Sequence, residues 1–166
     1  MGIVIGMRTA QSRCCVTAKD FIVLESMIGQ APPYGEGLIR LLRRKLSTAI
    51  VVLPEDIAPH IATIDSRVEY RIDGGRTECC VLVRGEGNSS RGLALPISTL
   101  RGLALLGLSE GDSISIERLD GRVETVSLEK VAYQPEGARR AGLAHSSGGQ
   151  PRSRPGDGGD HEPPAA

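Results

Sequence analysis

Two carboxylates, Glu110 and Asp112, flank Gly111 in the stretch L-L-G-L-S-E-G-D-S-I at 105–114. Paired carboxylates can work as acid and base, as in glycoside hydrolysis. A local reading competes with that chemistry. Gly107 can end a short helix in the left-handed conformation, with Leu108 folded back onto it. Glu110-Gly111-Asp112 then makes the turn into the next strand, because Asp bonds its own backbone and Gly tolerates positive φ. A sugar site would also want an aromatic platform, and the chain has one Phe, three Tyr and no Trp. Turn chemistry accounts for both acids, so neither is expected to be catalytic.

The other reactive side chains fare no better. Of three histidines, His145 and His161 fall in a Gly/Pro-rich tail and His60 sits in a proline-punctuated linker. There is no HExxH motif, no phosphate-binding P-loop and no nucleophile elbow. The four cysteines form two adjacent pairs, Cys14-Cys15 and Cys79-Cys80. Neighbouring thiolates do not converge on one tetrahedral metal, and within a strand they point to opposite faces. The expectation is therefore no catalytic residue, no metal and no cofactor.

Composition narrows the classes further. The chain has 166 residues, with 20 Lys and Arg against 20 Asp and Glu. Zero net charge argues against a protein that coats nucleic acid. With so few aromatics, the core must be built from Leu, Ile, Val and Ala. No apolar run is long enough to span a bilayer, and M-G-I-V-I-G fits neither a signal peptide nor a myristoylation site. A cytoplasmic protein is expected.

The periodicity predicts the elements that carry these residues. Residues 1–16 have no clear period and read as a flexible start. Thr17 caps a helix in which Phe21, Leu24 and Ile28 recur at helical spacing. Gly29 and Pro32-Pro33 end it. A second helix, about 36–49, carries Ile39, Leu42, Leu46 and Ala49 on one stripe, widened by Leu38 and Leu41, and Arg40, Arg43, Arg44 and Lys45 on much of the rest. The short loop between the two helices predicts an antiparallel hairpin over 17–50. Residues 52–60 read as a linker. Alternation then predicts strands at 67–72, 77–84, 93–97, 113–118 and 123–133, with a short helix at 99–106 and Asp-Gly turns at 73–76 and 119–122. Residues 141–166 are rich in Gly, Pro, Ser and charge and read as a disordered tail.

Three segments, I-D-S-R-V-E-Y-R (64–71), A-L-L-G-L-S-E-G-D-S-I (104–114) and Y-Q-P-E (133–136), stand in one order and spacing. In this they resemble the C-terminal domain shared by the Gre transcript-cleavage factors and the regulator of nucleoside diphosphate kinase, Rnk. The likeness spans about residues 18–140 and is closer to Rnk. It implies an α+β fold, a short antiparallel helical hairpin followed by an FKBP-like antiparallel β-sheet domain with one short helix over 51–140. It implies that the partner is bacterial RNA polymerase, bound near the secondary channel, with nucleic acid reached only through it.

The family's docking segment, an S/T-P-L-G-like stretch, falls on Thr99, Leu100, Arg101 and Gly102, without the proline. The resemblance therefore points to Ser98, Thr99, Leu100 and Arg101 as docking residues, with Ser98 expected to cap the helix. It points to Tyr34, Glu36, Arg40 and Arg44 as arm contacts. The tip A-P-P-Y-G-E holds one acid, whereas a second Mg²⁺ wants several carboxylate oxygens. Helices of about 12 residues reach only roughly 20 Å. The expectation is a monomeric, non-enzymatic regulator without transcript cleavage. The alternatives are a protein acting on nucleotide-metabolising enzymes, an enzyme (a prolyl isomerase or a residual cleavage factor), and nucleic-acid binding through the basic helix.

Overall fold

A computed structural model describes residues 13–29, 35–85 and 93–146. Strand β1 (Cys15–Thr17) leads into α1 (Ala18–Gly29), then α2 (Glu36–Thr48) and β2 (Ile50–Val52). Thr17 Oγ1 accepts from the Asp20 N–H at 3.1 Å, which is the expected cap. β1 and β2 pair in parallel, Cys15 opposite Ile50, so both ends of the helical hairpin are tied into one small sheet. Two expectations change here. Residues 13–16 are not a loose start: Cys14 and Val16 are buried, and Cys15 N–H donates to Gly107 O at 3.0 Å. The linker expected at 52–60 also starts one residue later, because Ile50-Val51-Val52 is β-branched throughout and forms a strand paired with β1.

The main sheet has five strands in the order β5-β4-β3-β7-β6. These are β3 (Arg67–Ile72), β4 (Glu78–Val83), β5 (Ala94–Pro96), β6 (Ser113–Glu117) and β7 (Val123–Tyr133), with α3 (Leu100–Leu105) between β5 and β6. The sheet is not antiparallel throughout, since β5 runs parallel to β4. Two register shifts between β3 and β7 bend the long strand. In the 73–76 turn, Asp73 and Gly74 both take positive φ, 49° and 69°, as a tight hairpin requires.

One buried cluster joins arm and sheet: Val16, Leu24 and Leu42 lie with Leu103, Leu105, Val68, Leu82 and Leu128. The core thus crosses the boundary expected at residue 50. α2 lies along the body over its whole length. A Cβ on Gly35 would sit 3.1 Å from Leu119 Cδ2, and one on Gly37 3.3 Å from Glu117 O. At the other end, Lys45 Nζ reaches the carbonyls of Ala104 and Leu106.

After β7 the chain forms α4 (Pro135–Ser146), so residues 141–146 are helical where a disordered tail was expected. Pro135 opens the helix, Glu136 sits in its first turn, and Ala and Arg sustain it. The Y-Q-P-E motif anchors it. Gln134 Nε2 donates to the carbonyls of Ala58 and Ile61, both at 2.8 Å, and Glu136 Oε2 accepts from Thr63 Oγ1 at 2.8 Å. Arg140 adds bonds to Pro54 O and Glu55 O. The expected disordered tail beyond 146, the start before residue 13 and Tyr34 lie outside the described residues.

Candidate functional site

The backbone of Asp112 and the carboxylate of Glu110 hold the turn at 109–112. Gly111 has φ +86°, and its N–H donates to Leu128 O at 2.8 Å. Asp112 N–H donates to Ser109 O, and Asp112 O accepts from Leu128 N–H. Glu110 spends its carboxylate on the Val131 N–H at 2.8 Å. Together they pin the turn against β7. Gly107 (φ +81°) ends α3 as predicted, and Leu108 behind it is buried.

The β5–α3 corner holds the residues assigned to docking. Thr99 is extended (φ −97°, ψ 154°) and caps α3: its Oγ1 accepts from Gly102 N–H at 3.1 Å and donates to Pro96 O at 2.7 Å. The cap is therefore Thr99 and not Ser98, because the helix starts at Leu100 and the residue just before it supplies the cap. Gly102 allows the corner to close, since a Cβ there would sit 2.1 Å from Pro96 O. Ser98 is half-buried at this corner. Thr99, Leu100 and Arg101 line a cleft of about 450 Å³ with Leu95, Ile116, Arg118, Leu119, Asp120 and Glu124.

The cleft wall is an ionic lock. Arg101 Nε and NH2 donate to Glu124 Oε2 and Oε1, each at 3.0 Å, and Arg118 NH1 donates to Oε1 at 2.8 Å. Such a forked pair fixes geometry as well as charge. The Arg101 guanidinium, aided by Arg118, holds the Glu124 carboxyl below the usual carboxylate range despite its burial. Arg101 is held above its own usual range in return. Arg101 is thus no free cation awaiting a partner; it braces the cleft and leaves part of its side chain exposed.

The arm residues fall on the same face. Arg40 and Arg44 line a depression of about 180 Å³ with Gly37, Leu41, Ser115 and Glu117, and it shares Leu100 and Ile116 with the larger cleft. Arg40 NH1 meets Glu117 Oε2 at 3.4 Å, an exposed pair of little energetic weight. Glu36, exposed in the first turn of α2, borders a further dent with Ile39, Arg40 and Arg43. The structure thus brings Thr99, Leu100, Arg101, Arg40 and Arg44 onto one surface. It has an apolar middle at Leu100 and Leu119 and charges of both signs around it. Among the described residues, no group of three or more His, Cys, Asp or Glu is placed to hold a metal ion, and no helix is long and apolar enough to cross a membrane.

Besides Glu124 and Glu136, two further buried charges were not anticipated. Lys45, placed on the basic face from its type, is 2% exposed. It lies one heptad after Leu38, on the buried stripe of α2, and burial pushes its ammonium below the usual range. Asp20, 1% exposed, accepts from Ile64 N–H through Oδ2 at 3.1 Å, while Oδ1 has no hydrogen-bond partner among the described residues. Burial first, then the nearby Glu136, raises its carboxyl to about 6.

A helical hairpin fused by one core to a curled five-stranded sheet is the architecture of Gre-type factors. The solved prokaryotic transcription elongation factor GreA/GreB from Nitrosomonas europaea is similar, with a TM-score of 0.57, 30% identity, and cover of 73% of this chain and 98% of that one. No family model matches the chain. The "Regulator of nucleoside diphosphate kinase" of Escherichia coli (strain K12) is 31% identical over 111 residues, which is 66% of this chain and 82% of that protein. The protein of that name from Shigella flexneri matches equally. The chain belongs to the family of the regulator of nucleoside diphosphate kinase.

Proposed function

We propose that this protein is a transcription regulator that binds RNA polymerase near the secondary channel and does not cleave transcripts. The observation that carries the reading is the single surface formed by Thr99, Leu100 and Arg101 with Arg40 and Arg44. An apolar centre rimmed by alternating charges is how protein interfaces are built. The similarity to a transcription elongation factor supplies the class of partner. Within this reading the sheet domain is FKBP-like but lacks an aromatic pocket for prolyl isomerisation. Tyr70 is buried with its hydroxyl donating to Glu78 at 2.9 Å, and Tyr133 stands exposed.

The arm supports occupancy over catalysis. α2 is held against α3 and β6 and offers one acid, Glu36, at its outer end. A short arm bound to its own body can block an opening, but it does not bring several carboxylates to a metal. In this reading the protein is a monomer without enzymatic activity. The second reading, action on a nucleoside diphosphate kinase, rests on the relatives' name. A photo-crosslinking residue at the exposed Thr99 tests the choice. The expected product joins the protein to a polymerase subunit. Crosslinks to a nucleoside diphosphate kinase alone would favour the second reading, and crosslinks to neither would overturn both.

A further inference from the structure

Two buried carboxylates meet at the 63–66 segment. Asp20 comes from α1 and Glu136 from the first turn of α4, and both are buried. They hold neighbouring residues: Asp20 Oδ2 accepts from Ile64 N–H, and Glu136 Oε2 accepts from the Thr63 hydroxyl. Thr63 and Ser66 are buried too, and their bonds run one way. Thr63 N–H donates to Ser66 Oγ at 3.1 Å, the Ser66 hydroxyl donates to Thr63 Oγ1 at 2.8 Å, and the Thr63 hydroxyl hydrogen is left for Glu136. Glu136 is thus held as an acceptor, while Asp20 Oδ1 has no hydrogen-bond partner among the described residues. The charged groups that act on Asp20 are Glu136, which opposes its ionisation, and Lys19 on its own helix, which favours it. Asp65, the titratable side chain of the 61–66 segment, is exposed.

The rest of α4 is held lightly. Glu136 is its one buried residue, and residues 141–146 are exposed throughout. Its other ties are polar: Arg140 to the carbonyls of Pro54 and Glu55, and Gln134 just before it to those of Ala58 and Ile61. A helix of 12 residues is marginal on its own. An element with so little buried apolar surface opens at lower cost than the core. We propose that α4 is a proton-linked latch, held closed while Asp20 keeps its proton and loosened when Asp20 ionises. Loss of that proton sets two carboxylates of like sign against each other in a buried site, which disfavours the closed arrangement. Lifting α4 removes Glu136 and lets water reach Asp20, so the released state binds the proton less tightly. Burial and Glu136 together raise the Asp20 carboxyl to about 6, so the latch loosens as pH rises through that value.

Amide hydrogen exchange of the full chain and of its Asp20→Asn variant at about pH 4 and pH 7.5, corrected for intrinsic rates, tests this. The Ala138 N–H, which donates to Gln134 O at 3.0 Å, reports α4, and the Leu103 N–H, which donates to Thr99 O at 2.9 Å, reports the core. Ala138 should be less protected than Leu103 at both pH values. Its protection in the parent should fall about tenfold from the lower pH to the higher, the linkage of about one pH unit, and should stay level in Asp20→Asn. Equal changes at Ala138 in parent and variant would overturn the proposal. Ala138 protection that matches that of Leu103 would overturn it too, because α4 would then leave only with the whole fold.

Discussion

Replacing Asp20 by asparagine should flatten part of the pH dependence of stability. Asp20 sits in the first turn of α1, 1% exposed, with one oxygen on Ile64 N–H and the other without a hydrogen-bond partner among the described residues. Burial lifts its carboxyl to about 6 from 3.8, Glu136 adds to the lift, and Lys19 and the bonds from Ile64 and Thr17 oppose it. A raised acid means that the folded state holds its proton more tightly than the unfolded chain does. The stabilisation is therefore complete below pH 3.8 and is lost as pH rises through about 6. At about 1.4 kcal/mol per pH unit, the interval from 3.8 to about 6 amounts to ~3 kcal/mol. The asparagine side chain would keep an acceptor for Ile64 and cannot ionise. Urea unfolding of the parent and Asp20→Asn at about pH 4 and pH 7.5, with the m-value checked for constancy, gives the difference at each pH. Because the unfolded carboxyl is already more than half ionised at pH 4, the variant should gain relative to the parent by about 2 kcal/mol between the two conditions. A difference that stays constant within about 0.5 kcal/mol, the scatter expected between unrelated sites, would refute a buried carboxylate that ionises at its own cost.

Three further sets of substitutions separate fold from function. Lys45→Met strips a charged donor from two buried carbonyls and should cost about 2–3 kcal/mol in urea unfolding; an unchanged midpoint would mean that those carbonyls find other partners. Gly107→Ala and Gly111→Ala both force a side chain into positive φ, but only at 107 would the Cβ lie 2.6 Å from Cys14 Sγ. The first should cost at least about 3 kcal/mol and the second about 1, by thermal unfolding. Glu124→Gln unlocks Arg101 and Arg118 and should cost about 2 kcal/mol. The parent's share of that energy is present above the usual glutamate range and fades as pH falls through the lowered value, so parent and variant should converge in acid.

Much of this was legible in residue pattern. Alternation located β3, β6 and β7, and Asp-Gly pairs marked both hairpin turns. Gly107 with Leu108 gave the end of α3. Two buried charges could have been read from period alone. Lys45 sits seven residues after Leu38, and Glu124 shares a strand face with Val126 and Leu128. Residue type outweighed position for Lys45, and the strand face of Glu124 was not read at all. β1 and β2 were harder to see, because three-residue strands have no measurable period and their pairing joins positions 35 apart. The Asp20–Ile64 contact and the Arg101–Glu124 lock are likewise long-range and have no local signal. The helix over 141–146 was hidden by a Gly/Ser-rich neighbourhood that dominates composition, although Pro135 and Glu136 mark its start.

The central claim is tested most directly by the dissociation constant for core RNA polymerase, measured for the parent, Leu100→Asp and Arg44→Glu. Leu100 belongs to both depressions and Arg44 is exposed beside them, so neither change touches the Glu124 lock. Binding at about micromolar or tighter, worth at least ~8 kcal/mol, with a tenfold or larger loss in both variants, is the predicted result. No binding at tens of micromolar, or binding that both variants leave unchanged, would contradict it.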